Sequence, residues 1–204
     1  MHRPALRSFS KWLVALLSVM PISVGTAYGQ NFALGEPAYG GTGCPQGTAR
    51  AVLGSDATTL TLLFDQYQAI AGGNQGRSFD RKSCNLAIPL RVPAGYSVSI
   101  LAIDYRGFNH LPGAAESTFR VEYFFAGSTG PIFSHTFAGP RSEDFLISNR
   151  LVVAAQVWSS CGTDVVLRAN SSIFVRTDQR QAMATVDTED IAAAQVYHLR
   201  WRRC

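Results

Sequence analysis

Apolar and polar residues alternate along several short segments of this chain. Between residues 119 and 125 every odd position is apolar, whereas Arg120 and Glu122 are charged, and residues 196–202 alternate in the same way. Such a period of two is typical of a β-strand with one buried face. Further strand-like runs lie at 58–64, 86–92, 96–105, 132–137, 151–158 and 165–175. Because turn residues separate these runs, the pattern predicts an all-β fold, a single antiparallel β-sandwich of jelly-roll-like or Greek-key type.

Some positions make the prediction more specific. Segments 86–92 and 96–105 are joined by Pro93-Ala94-Gly95, which predicts a hairpin. Pro89 favours a strand edge or a bulge, because proline cannot donate to a ladder. Phe124 lies on the otherwise polar face of its segment, so its strand is either central or in contact with a partner. Residues 182–194 have the composition for one short helical turn at most.

The first 29 residues have the pattern of a cleavable secretory signal. Arg3, Arg7 and Lys11 precede a short apolar run at 12–19, and small residues at Ala27 and Gly29 stand before Gln30. The run is too short for a membrane-spanning helix, and no later segment is long and apolar enough for one. We therefore expect residues 1–29 to be a signal peptide and residues 30–204 to form one domain that is secreted, extracellular or periplasmic.

The cysteines agree with export. The four of them, Cys44, Cys84, Cys161 and Cys204, all follow the leader, and an even number of dispersed cysteines in an exported chain predicts two disulfides. Paired C-x₂₋₄-C spacing for a metal is absent. Three pairings are open. We favour Cys44–Cys84 with Cys161–Cys204, because each would close a loop of about 40 residues.

Charge changes the expected partners. Of 18 basic side chains, three lie in the leader, which leaves 15 against 14 acidic ones in residues 30–204. A mature chain near neutrality gives no reason to expect nucleic acid as a partner. No cofactor is expected, and the partner is unknown, with a glycan or a cell-surface protein as candidates.

Several short strings together resemble a known family. They are Gly41-Thr42-Gly43-Cys44-Pro45-Gln46-Gly47, Arg81-Lys82-Ser83-Cys84, Asp104-Tyr105-Arg106-Gly107 and Trp158-Ser159-Ser160-Cys161-Gly162. In this order and spacing they resemble domain of unknown function 4360, a family of exported proteins of fungi and bacteria. Ser160 departs from the pattern, in which we expect proline. The resemblance implies a secreted, disulfide-bonded, mostly β domain and brings no activity and no catalytic residues.

One segment offers candidate ligand-binding residues. Asp104 and Arg106 are two residues apart on a strand, so they share a face and could hold a polar ligand together. Tyr105 and Phe108 belong to the same candidate group. The alternative is a structural ion pair at a strand end.

Other candidate chemistry is less specific. The histidines His110, His135 and His198 have no metal-ligand spacing, and no G-x-S-x-G string marks a nucleophilic serine. Asp187, Glu189 and Asp190, with Asp178, lack the calcium-loop pattern and predict a solvated turn. Asn170-Ser171-Ser172 is a glycosylation sequon, which matters only in a eukaryotic host.

These observations favour a secreted, non-enzymatic binding module for a surface, a glycan or a protein, and no catalytic or metal-binding residue is assigned. One alternative is an extracellular hydrolase in which a histidine or paired carboxylates meet in a cleft, with Asp65, Asp104 and Glu122 as candidates. Another is a structural envelope protein that associates with itself.

Overall fold

The computed structural model describes residues 32–152, 156–186 and 195–204. In this part of the chain nearly all regular structure is β-strand, with one 3₁₀ turn at Gly73–Gln75. In chain order the strands are β1 (Ala33–Leu34), β2 (Ala38–Gly40), β3 (Ala49–Leu53), β4 (Thr59–Phe64), β5 (Gln68–Ala71), β6 (Phe79–Arg91), β7 (Tyr96–Leu111), β8 (Glu116–Phe125), β9 (Ile132–Ala138), β10 (Arg141–Arg150), β11 (Val165–Arg176), β12 (Ala182–Thr185) and β13 (Gln195–Arg203).

The strands form two antiparallel sheets. The six-stranded sheet has the order β1-β6-β11-β8-β9, and β2 also pairs with β6. The seven-stranded sheet has the order β3-β4-β13-β7-β12-β5, and β10 pairs with β7. The chain crosses between the sheets at β6–β7, β7–β8, β9–β10 and β10–β11, whereas β8 and β9 are antiparallel neighbours in the six-stranded sheet. The predicted all-β antiparallel sandwich is confirmed.

The predicted hairpin between 86–92 and 96–105 is wrong. β6 belongs to the six-stranded sheet and β7 to the seven-stranded sheet, so residues 93–95 carry the chain across the sandwich. A short Pro-Ala-Gly turn suits either connection, and the sequence does not distinguish them. Pro89 lies on β6 between the residues that pair with β2 and those that pair with β1, where a missing N–H costs no ladder bond.

Two other segments differ from the sequence prediction. β10 was not predicted, because only two of its inward positions, Phe145 and Ile147, are apolar. The predicted strand at 151–158 is wrong for its described residues, which form only an isolated bridge between Trp158 and Ser99; residues 153–155 lie outside the described part. Residues 182–185, the start of the segment considered for one short helical turn, form β12, and residues 187–194 lie outside the described part.

The core lies between the two sheets and contains the inward-facing residues of the long strands. Along β8, for example, Phe119, Val121 and Tyr123 are buried, which confirms the alternation. β8 lies between β11 and β9, so the apolar Phe124 on its otherwise polar outer face agrees with a central strand.

Two disulfides tie this core to its loops. They join Cys44 to Cys84 and Cys161 to Cys204, which is the pairing that the loop lengths favour. The first fastens the glycine-rich segment before β3 to the middle of β6, and the second fastens the loop before β11 to the residue after β13.

The described residues contain no helix that is long and apolar enough to cross a bilayer. The predicted signal peptide, residues 1–29, lies outside the described part of the chain and stays a prediction.

Candidate functional site

The outer face of the six-stranded sheet carries a groove of about 460 Å³. It crosses the three longest strands of that sheet, β6, β11 and β8. Alternation along these strands sends apolar residues to the core and leaves the polar ones facing out. The lining residues are Arg81, Ser83, Asn85, Arg120, Glu122, Asn170, Ser171 and Ser172. We call this cavity the sheet-face groove.

Strand register arranges six of these residues in two rows. In one row Asn170 of β11 lies opposite both Asn85 of β6 and Glu122 of β8. In the next row Ser172 lies opposite both Ser83 and Arg120. Neighbouring strands are about 4.8 Å apart, so each row presents three polar side chains side by side across the groove.

Most of these side chains have no protein partner. Within the described residues, the side chains of Asn85, Arg120, Glu122 and Asn170 make no hydrogen bond and no ion pair. The exceptions are Arg81, whose guanidinium donates to Ser172 Oγ at 3.3 Å, and Ser171, whose hydroxyl bonds Tyr67 Oη at 3.0 Å on the core side of the sheet. The groove therefore offers amide, carboxylate and guanidinium groups that are free to bond a ligand.

Aromatic rings stand at both ends of the polar rows. Phe174 follows Ser172 on the same face of β11 and contacts Phe79, with ring centroids 6.2 Å apart. Phe79 is 60% exposed. At the other end Phe124 follows Glu122 on the same face of β8 and is half-buried. The groove itself is lined by polar residues, and aromatic rings lie on the same sheet face beyond both ends of its polar rows.

A second cavity, of about 560 Å³, opens at the edge of the sandwich between β5 and β6. We call it the edge cleft. Its lining is also polar and consists of Thr42, Asp65, Gln66, Tyr67, Gln68, Ile70, Gln75, Arg77, Asp80, Lys82 and Thr185.

The charges of the edge cleft neutralise one another. The Asp80 side chain is only 9% exposed, and its Oδ2 lies 3.3 Å from Arg77 and 3.9 Å from Lys82. The same oxygen accepts the backbone N–H of Ile70 at 3.0 Å. A buried carboxylate with these partners is a structural counter-ion.

The candidate residues on β7 lie elsewhere. Asp104, Arg106 and Phe108 share the outer face of the seven-stranded sheet, as their spacing predicts. They line neither the sheet-face groove nor the edge cleft. Tyr105 points to the opposite side and is wholly buried in the core, stacked on Phe133 with ring centroids 5.3 Å apart. It therefore shares no surface with the other three.

Asp104 is held by its neighbours. Its carboxylate accepts the Ser148 hydroxyl at 2.6 Å and lies 2.8 Å from His198 Nε2. Burial acts to raise the pKa of Asp104, but these two hydrogen bonds and the charge of Arg106 outweigh it and lower the pKa. Ser148 bonds the carboxylate and not the imidazole, so this group lacks the serine–histidine contact of a catalytic triad.

The other hydrolase candidates do not converge. Asp65 lines the edge cleft, Glu122 lines the sheet-face groove, and Asp104 lies on the outer face of the other sheet. His110, His135 and His198 line neither cavity. The structure thus places no histidine beside the candidate carboxylates Asp65 and Glu122.

Asp178 has a structural environment. Its carboxylate accepts the backbone N–H groups of Gln179 and Arg180 and contacts the Arg180 guanidinium, and together these lower its pKa. The other calcium candidates, Asp187, Glu189 and Asp190, lie outside the described residues.

Sequence analysis did not identify the groove. Arg120 and Glu122 were recognised as outward-facing and Asn170 as part of a sequon, but nothing connected them. They come from strands that are distant in sequence, and only the register of β6, β11 and β8 brings them together. The available signal was the set of polar residues at outward positions of three predicted strands.

Two comparisons concern the sequence. The family model described as "Domain of unknown function (DUF4360)" matches residues 30–204. The chain is also 37% identical over 169 residues to an "Uncharacterized secreted protein" of Arthroderma benhamiae, covering 81% of this chain and 69% of that protein. Together with the two disulfides, this similarity identifies the chain as a secreted protein.

A third comparison concerns solved structures. The structure resembles TmCBM61 in complex with β-1,4-galactotriose at 12% identity and a TM-score of 0.27, covering 82% of this chain and 88% of that chain. A likeness at this score says nothing about the ligand. The match over the whole region after the predicted leader is decisive: over residues 30–204 the chain belongs to the DUF4360 family.

Proposed function

We propose that this secreted protein binds a glycan in the sheet-face groove and catalyses no reaction there. The observation that carries the proposal is the set of unpartnered polar side chains of Asn85, Arg120, Glu122 and Asn170 along one groove. Sugar hydroxyls both donate and accept hydrogen bonds. Amides and carboxylates at adjacent register positions are suited to bond them.

The distribution of polarity favours a sugar over a protein partner. Protein interfaces place apolar residues at the centre and polar ones at the rim. This sheet face has the opposite arrangement, because Asn85 and Asn170 line the groove and Phe79 and Phe124 lie beyond its ends. A polar chain with apolar ring faces fits a polar middle between aromatic side chains.

The carboxylates support binding without hydrolysis. Glycoside hydrolases generally use a pair of carboxyl groups on either side of the scissile bond. Among the residues that line the groove, Glu122 is the one carboxylate. In the edge cleft Asp80 is neutralised by two cations, which leaves Asp65 without a free partner there.

Affinity electrophoresis of residues 30–204 tests the proposal. The protein is run through gels that contain a neutral galactan, a xylan, a β-glucan or a polygalacturonate. It is produced in a bacterial periplasm so that disulfides form and the Asn170 sequon stays unmodified. We expect at least one polysaccharide to retard it and N170A to weaken that binding about tenfold, the effect of one or two lost hydrogen bonds.

Q66A is the matched control, because Gln66 is an exposed amide of the edge cleft. It should bind like the parent protein. If Q66A lost binding and N170A kept it, the glycan-binding site would be in the edge cleft, and its assignment to the sheet-face groove would be wrong. The absence of retardation in every gel would refute glycan binding, and concentration-dependent self-association seen by sedimentation would then favour a structural envelope role.

A further inference from the structure

The outer face of the six-stranded sheet has a surplus of positive charge around the groove. Arg81 and Arg120 line the groove, and Arg168 is two residues from Asn170 on the same face of β11. Among the described residues none of these three arginines forms an ion pair, and the groove contains one opposing charge, Glu122. The chain from residue 30 onwards is close to neutral, so the surplus is local.

Two of these arginines lie on either side of one hydroxyl, and one of them contacts it. The Arg81 guanidinium reaches Ser172 Oγ from β6 at 3.3 Å, and Arg120 lies directly opposite Ser172 on β8. Ser83 lies opposite Ser172 on the β6 side. A group bound above Ser172 would therefore have two guanidinium groups beside it and two hydroxyls below it.

Resting on the glycan-binding function proposed above, we propose that the groove selects an acidic glycan, a chain of uronate sugars, and binds one carboxylate above Ser172 between Arg81 and Arg120. A guanidinium fork matches the two oxygens of a carboxylate. The next row, with Asn85, Asn170 and Glu122, then binds hydroxyls of the same chain. Glu122 disfavours a ligand with charges at every position, such as a nucleic-acid strand, because it would repel one of them.

Methyl esterification of the uronate ligand tests whether its negative charge, and not only the shape of its sugar rings, contributes to binding. Titration calorimetry compares an oligogalacturonate with the same oligomer carrying methyl esters, in the same buffer at low ionic strength. The ester keeps the sugar ring and its hydroxyls but removes the negative charge. We expect the free acid to bind at least tenfold more tightly than the ester and to lose much of this preference in 0.5 M NaCl.

R120Q locates the charge effect. The substitution keeps a polar, hydrogen-bonding side chain but removes the cation, so affinity for the free acid should fall about tenfold while affinity for the ester falls by much less. R150Q, on the exposed outer face of the other sheet, is the matched control and should leave both affinities unchanged. Arg120 has no protein partner among the described residues, so R120Q should melt like the parent protein.

The outcomes distinguish the two proposals. Equal affinity for acid and ester, unaffected by R120Q, would overturn the acidic-glycan inference and leave glycan binding intact. Failure of both oligomers and of every neutral polysaccharide to bind would overturn glycan binding itself. A sulfated glycan that binds more than tenfold more tightly than the uronate would overturn the choice of carboxylate. Stronger binding of a single-stranded oligonucleotide would overturn the choice of a sugar chain.

Discussion

A single strand, β6, separates two polar cavities of similar size. They differ in whether their charged and polar side chains already have protein partners. Its residues Asp80 and Lys82 line the edge cleft, whereas Arg81, Ser83 and Asn85, which alternate with them, line the sheet-face groove. In the cleft the buried carboxylate has two cations and a backbone N–H. In the groove most polar side chains have no partner among the residues that the structure describes.

This difference shows that volume and polarity alone do not identify a binding site. The edge cleft is the larger of the two, but its buried charges already stabilise one another, and a ligand would have to break those contacts. The unpartnered groups of the groove can bond a ligand without breaking a protein contact other than the Arg81–Ser172 hydrogen bond. Substitutions at the cleft should therefore change stability, and substitutions at the groove should change binding.

The largest effect is expected from the disulfide beside the edge cleft. Cys44 and Cys84 are both fully buried and hold the segment with Thr42, one wall of the cleft, against β6. Their bridge spans 40 residues, so C44S/C84S should lower the free energy of unfolding by about 4 kcal/mol. Urea denaturation measures this loss. A loss below about 1 kcal/mol would contradict the role given to the bridge.

D80N should have the next largest effect. The amide keeps the shape of the side chain but not the charge that balances Arg77 and Lys82, so the free energy of unfolding should fall by about 2 kcal/mol. D65N is the matched control in the same cleft, because Asp65 is 55% exposed and lies 3.9 Å from Arg50. It should cost less than about 0.5 kcal/mol. Equal effects of the two variants in thermal denaturation would argue against structural pairing in the cleft.

F79A tests the aromatic side chain beyond one end of the groove. Phe79 is largely exposed and contacts Phe174, so truncation should leave the melting temperature nearly unchanged. Loss of one ring that packs on a sugar should weaken glycan binding by about two- to tenfold. Calorimetry with the tightest-binding polysaccharide fragment measures it. Unchanged affinity of F79A would show that Phe79 does not belong to the glycan-binding site.

The smallest effect on stability is expected from D104N. Asp104, like Asp80 in the edge cleft, is a carboxylate that already has protein hydrogen-bond partners. Its pKa lies below the ordinary 3.8, so its contribution to stability is complete above that pH and disappears as the pH falls through the lowered value. At pH 6 the D104N variant should be less stable by under about 1 kcal/mol, because the site is partly exposed. The difference from the parent protein should shrink below pH 4, as thermal melts across pH would show. Glycan affinity at pH 6 should not change.

Much of the fold could be predicted from sequence because it depends on local alternation. The buried positions of β8 and β13 follow a strict period of two, and the cysteine spacing favoured the observed disulfides. β10 was not predicted from the sequence because its outward Leu146 lies between the inward Phe145 and Ile147, which hides the alternation. The sheet to which each strand belongs depends on non-local pairing, and this is why the β6–β7 connection was predicted wrongly.

The groove was harder to predict than the fold. Each of its residues, taken alone, is an ordinary solvent-facing position on a strand. Asn85 and Glu122 become neighbours of Asn170 only through β11, which lies between their strands in space but follows both in sequence. The candidates on β7 looked more distinctive because Asp104 and Arg106 are close in sequence, but this proximity produced a self-contained hydrogen-bonding group.

The position of β13 has a consequence for the order of assembly. β13 pairs with β4 on one side and β7 on the other, and it follows every other described strand in the chain. Until residues 195–203 emerge from the ribosome, β3 and β4 have no connection to the rest of their sheet. A nascent chain therefore cannot join β3 and β4 to the rest of this sheet until β13 has been made, so closure of the sheet depends on a late, non-local pairing.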